Sequence, residues 1–113
     1  PRLYTDISFG NLEYLIEGLD RISTDVDVFY EFVNKYQDRF FFGTDVILTD
    51  YEGKDVDWVT DVYQVYRDLL EEDEFTAEIV EDRYTKYSGL SLEYSVLQKI
   101  YELNWWTFMS TGV

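Results

Sequence analysis

Three consecutive phenylalanines, Phe40, Phe41 and Phe42, run straight into Gly43, Thr44 and Asp45. Side chains alternate between the two faces of a strand, so three large apolar residues in a row cannot lie on a half-solvated sheet. A short continuous apolar run between turn signals fits a strand covered on both faces, as in a parallel sheet flanked by helices. Asp38 and Arg39 stop the preceding pattern, and the Gly-Thr-Asp end delivers a carboxylate where the run leaves the core.

The segments around this run alternate in period. Residues 3–8, LYTDIS, carry β-formers and stop at Gly10, which predicts a short strand. From Asn11 to Ile22, Leu12, Leu15, Ile16 and Leu19 recur at helical steps, interrupted by the unfavourable Gly18. Ser23 or Thr24 is placed to cap a second helix, with Asp25 and Asp27 in its first turn. Val26, Phe29, Val33 and Tyr36 form its apolar stripe, which runs to about Gln37. Strand, helices, strand is a βαβ crossover, for which a right-handed connection and parallel strands are expected.

Beyond Asp45, residues 46–57 read as a polar loop turning at Gly53. Their carboxylates lack the spacing of a calcium loop. Trp58, Val62, Val65, Tyr66 and Leu69 predict a helix to about Leu70, and the acidic run 71–74 reads as its solvated exit. FTAEIVEDRYTKY, residues 75–87, is expected to form a short irregular helix. Gly89 resets the chain and Ser91 can cap the next helix, whose face is Leu92, Val96, Ile100 and Leu103. NWWTFM either prolongs that helix or starts a short terminal one. Most tyrosines and tryptophans (Tyr14, Tyr30, Tyr36, Trp58, Tyr66) fall on or beside these stripes, so packing explains them better than a sugar platform.

Composition removes whole classes of chemistry. The 113 residues contain no histidine and no cysteine, which excludes imidazole bases, Ser/His/Asp triads, thiolate nucleophiles and cysteine-held zinc. Nine Lys+Arg against 24 Asp+Glu give a formal net charge of −15, a surface that repels nucleic acid and anionic lipid. No apolar stretch approaches the roughly 20 residues of a membrane span. A cytoplasmic location is expected. The chain opens on Pro1 rather than Met, and its apolar helix faces outnumber what two strands can cover. A single partial domain of a larger α/β architecture is the expectation for residues 1–113.

The order of motifs resembles the C-terminal end of an amidohydrolase-related, metal-dependent hydrolase. The resemblance rests on LYTDIS, on FYEFVNKYQDRFFFGTD and on GLSLEYSVLQKIYELNWWTF, and spans Leu3 to about Phe108. It is densest over Tyr36–Asp45 and Val96–Asn104. It implies the last part of a (β/α)8 barrel (TIM barrel), with two parallel strands and several amphipathic helices. LYTDIS would be strand seven and FFFGTD strand eight, whose C-terminal ends face the active site. Asp45 is then the catalytic and metal-contacting residue, helping to take a proton from the metal-bound water or substrate. The alternative for Asp45 is a turn or N-cap aspartate. Gly43 and Thr44 would shape and orient the strand end. Asp6 reads equally as a second polar group there or as a hydrogen-bonded structural carboxylate.

The same resemblance implies a divalent metal such as zinc and a small-molecule substrate in the full-length parent, by hydrolysis or decarboxylation. Such enzymes hold metal mainly through histidines, which this chain lacks. They are expected on missing N-terminal barrel strands, and a homo-oligomeric partner is compatible with this. The chain alone is expected to bind no metal and turn over nothing. The competing expectation is a free-standing acidic interaction module, or a nucleic-acid mimic that binds a basic partner.

Overall fold

The computed structural model describes residues 3–9, 12–43, 56–80 and 83–111. Its first half is the expected crossover. Strand β1 (Thr5–Asp6) leads through helices α1 (Leu12–Thr24) and α2 (Val26–Lys35) and a 3-10 turn, Gln37–Arg39, into β2 (Phe40–Phe41). The two strands are parallel, with Thr5 opposite Phe40 and Asp6 opposite Phe41. Phe40 is buried, whereas Phe41 and Phe42 are half-buried. Phe42 packs edge-on against Tyr63 and Tyr101, at 4.9 Å from each ring. On the opposite face Phe41 stacks on Tyr4 and meets the edges of Trp105 and Phe108. Both faces of the run are therefore covered, as its composition requires.

Helix α1 buries Leu15, Leu19 and Ile22, spaced by four and three residues. Gly18 has a packing reason. A Cβ there would lie 2.6 Å from Cδ1 of Phe9, whose ring crosses the helix at that point. Neither expected cap is used as one. The Thr24 hydroxyl donates back to the Asp20 carbonyl, and Ser23 Oγ accepts the Ser88 N–H at 2.9 Å. Asp25 occupies the N-cap position of α2 without a side-chain bond. Tyr36, placed by its spacing on the inner stripe, is 42 % exposed, because the chain has already left the α-helix for the 3-10 turn. Tyr14 is likewise exposed, whereas Tyr66 is buried and Tyr30 and Trp58 pack at the core margin.

Residues 75–87 do not form a helix. Strands β3 (Glu74–Val80) and β4 (Arg83–Ser88) pair antiparallel, from Glu74 opposite Ser88 to Val80 opposite Arg83. Two-residue alternation accounts for this: Phe75 and Ala77 turn inward against Tyr87, while Glu74, Thr76 and Glu78 are exposed. The fold remains α/β, but among the described residues it holds an antiparallel hairpin as well as the parallel pair. Pairing of the inward aromatic residues, Phe75 on Tyr87 at 5.7 Å, adds to its burial.

Helix α3 (Val56–Glu71) buries Val62, Val65, Tyr66, Leu69 and Leu70. Its last carbonyls need partners that no further helical turn supplies. The segment 89–92 provides them, Leu90 N–H bonding to Leu69 O at 2.7 Å and Leu92 N–H to Leu70 O at 2.9 Å. Ser91 takes a left-handed conformation in this segment (φ 45°) and so caps nothing; helix α4 (Tyr94–Gln98) begins after Glu93.

Helical backbone continues from α4 through a wide π turn, Lys99–Leu103, into α5 (Asn104–Thr111). The wide turn sends the Asn104 N–H to Lys99 O, which leaves Ile100 O to accept the Phe42 N–H at 2.9 Å. The extra residue also shifts the inner stripe. Val96, Ile100 and Asn104 are buried, and Leu103, expected inside, is 45 % exposed. One core joins α1, α2, β2, α3, the hairpin and α4. Among the described residues no helix is long and apolar enough to cross a membrane.

Candidate functional site

The parallel register fixes what stands at the C-terminal ends of β1 and β2. Asp6 ends β1, and a Cβ built on Gly43 would lie 3.1 Å from the Asp6 Cβ and 3.5 Å from its Oδ2. Glycine therefore lets the two strand ends close on each other. Asp6 Oδ1 accepts both the Ser8 N–H at 3.1 Å and the Ser8 hydroxyl at 2.9 Å. This self-closed turn is the structural-carboxylate alternative for Asp6. Thr44 and Asp45 lie outside the described residues.

The opposite end of the pair is closed by the C-terminal helices. The Asn104 side chain is 4 % exposed and donates through Nδ2 to Gln37 O at 2.6 Å and to Phe40 O at 2.9 Å. Two carbonyl acceptors can be met only by the amide NH2, so the orientation of the group is forced. Trp105 and Phe108 then cover Tyr4, just before β1, and Phe41, the last residue of β2. Sequence reasoning places Asn104 within a motif but assigns it no role, since its acceptors lie more than 60 residues away.

A second polar cluster joins α3 to the π turn. Glu71 Oε2 accepts the Tyr101 hydroxyl at 2.6 Å and the Arg67 Nε–H at 2.9 Å, and Arg67 lies 6.0 Å over the Tyr101 ring. Burial, followed by the adjacent Glu71 carboxylate, pushes the Tyr101 phenol far above its ordinary value. Burial alone would push the Glu71 carboxyl up, but hydrogen bonds from Tyr101 and Arg67 outweigh it and hold the group below 4.5. A phenol held protonated on a carboxylate neither takes nor releases a proton near neutrality. The cluster ties the end of α3 to the π turn. The Arg67–Glu71 spacing of four is legible in a helix, but Tyr101 as its third member is not.

No family model, curated protein or solved structure matches this chain.

The site is therefore defined by its own geometry. Among the described residues no group of three or more His, Cys, Asp or Glu side chains could hold a metal. The chain has no histidine or cysteine, the commonest protein ligands of zinc. What the strand ends present is a carboxylate and a tight glycine contact, with Asp45 two residues further along the chain.

Tyr101→Phe is expected to lower stability by about 1 kcal/mol at neutral pH, about 4 °C in Tm. The raised phenol contributes stability below its unfolded value near 10, and loses it as pH rises beyond that point. The lowered Glu71 carboxyl contributes above 4.5, and loses it as pH falls. The Tm gap between wild type and variant should thus be widest near neutrality and narrow toward both extremes. A gap unchanged from about pH 4 to about pH 11 would contradict the coupling.

Proposed function

We propose that this chain is the closing part of a (β/α)8 metal-dependent hydrolase of the amidohydrolase-related type, and that Asp45 is its contribution to the active site. The observation that carries this reading is the parallel pairing of β1 with β2, which sets Asp6 beside Gly43 at the strand ends leading to Asp45. Barrel enzymes gather their reacting groups at that end. The C-terminal helix docks on β2 through Asn104, which donates to Gln37 O and Phe40 O. The resemblance of LYTDIS, DRFFFGTD and QKIYELN, in that order, supplies the reaction class: metal-dependent hydrolysis or decarboxylation of a small molecule.

In this reading Asp45 takes a proton from the attacking water or from the substrate, and histidines from strands upstream of Pro1 would hold the metal. A carboxylate is a competent base beside an activated water. The parent protein is expected to carry about 200 further residues before Pro1, with an H-x-H after its first strand. In that parent, Asp45→Asn should leave the fold in place while lowering kcat by at least about a hundredfold. Retained turnover would remove the role of Asp45.

The net charge of −15 supports the other reading, an acidic module that occupies the groove of a basic protein. The coding sequence separates the two. A start codon immediately before Pro1 would overturn the hydrolase and leave the acidic module.

A further inference from the structure

In a chain with 24 carboxylates, every cation is expected to find one. Four described cations do: Arg21 pairs with Glu17, Arg67 with Glu71, Lys86 with Glu74 and Lys99 with Asp38. Lys35 and Arg39 form no ion pair with a described carboxylate. Both instead lie over aromatic rings, Lys35 Nζ 5.3 Å from the Tyr36 ring centre and Arg39 Cζ 5.4 Å from that of Tyr4. Both also line one groove of about 600 Å3, between α2 and the start of the parallel pair.

The floor of that groove is apolar. Phe32 reaches across it, 5.1 Å from the Tyr36 ring and 6.0 Å from that of Phe40, and Leu3 stands at its edge. Leu3 and Phe32 are 77 % and 53 % exposed, more than an isolated packing role would leave. The acidic residue in the lining, Asp38, has its Oδ1 2.9 Å from Lys99 Nζ and so is already compensated. At physiological ionic strength the Debye length is about 8 Å, so exposed charges farther than that from Lys35 and Arg39 are largely screened.

We infer that this groove binds an amphipathic carboxylate, its apolar body on Leu3, Phe32 and Phe40 and its carboxylate between Lys35 and Arg39. A groove of this volume suits a small molecule. A peptide adding a strand would find too little ladder, because β1 is two residues long. The site is separate from the strand ends that lead to Asp45, since it opens at the strand starts, on the α2 side of the sheet. It does not depend on the barrel reading.

Octanoate, titrated calorimetrically into the 113-residue chain at physiological ionic strength, is expected to bind with a Kd of about 1 mM or below. Amide shifts should centre on residues 3–5 and 32–40. Octanol should bind at least tenfold more weakly, and so should octanoate to the double variant Lys35→Met/Arg39→Met. Should that double variant not fold, Lys35→Glu, at an exposed position, should show the same loss with an unchanged melting curve. No shift at about 10 mM octanoate, octanol binding as tightly, or undiminished binding by the folded variants would each overturn the inference. Shifts centred on Trp105, Trp106 and Met109 would also overturn it, by assigning the binding to exposed aromatic surface. A peptide with a free C-terminal carboxylate that binds where octanoate does not would refute the small-molecule class.

Discussion

Gly89→Ala is expected to destabilise the protein by about 3 kcal/mol, lowering Tm by about 12 °C. The added methyl would fall onto the Glu72 carbonyl, with its carbon 2.9 Å away and the Asp68 carbonyl oxygen 3.0 Å away. All of these are backbone atoms at the end of α3, and no side chain can rotate to make room. Nor can the segment simply retreat. Gly89 N–H bonds to Asp73 O at 2.7 Å, Ser91 N–H to Glu72 O at 3.1 Å, and Leu90 and Leu92 hold the last helical carbonyls. Relief of the clash would break several of these bonds together and lift the buried Leu90 and Leu92 from the core. Thermal melts followed by circular dichroism test this; a Tm within about 2 °C of wild type would show that the segment moves freely.

The second large effect is expected at Asn104. Asn104→Leu keeps the branched skeleton of the side chain but leaves Gln37 O and Phe40 O without their donor in a buried place. An unsatisfied buried carbonyl costs about 1–3 kcal/mol, so a loss of about 3 kcal/mol is expected for the pair. The damage should be directional. Ile100 O, one turn before Asn104, accepts the Phe42 N–H, so a loosened helix should accelerate hydrogen exchange at Phe42 before it affects α1 or the hairpin. Uniform acceleration across the chain would mean that Asn104 supports global stability rather than this joint.

Much of the first half is legible before folding. The unbroken Phe40–Phe42 run and the helical spacing of Leu15, Leu19 and Ile22 report burial, and burial follows from local pattern. The hairpin is the instructive failure. Phe75, Ala77 and Tyr87 keep the two-residue period, but Glu74, Glu78, Glu81, Asp82 and Arg83 dilute it, and a strand's stability depends on a partner that the segment itself does not reveal. At the strand ends, the apposition of Asp6 and Gly43 follows from a register that no sequence window contains, and Asp45 lies beyond the described residues.

The acidic character, the lack of imidazole and thiol chemistry, the helix stripes and the two-sided covering of the phenylalanine run are all written locally in the chain. Each of these is carried by residues within a few positions of one another, or by composition alone. Folding was needed to set Thr5 opposite Phe40, to finish helix α3 with residues 89–92, and to bring Asn104 inward through a π turn. It also decided that Lys35 and Arg39 share one groove. Hydrogen-bond partners and unpaired charges depend on where elements dock, and docking joins groups that stand tens of residues apart in the chain.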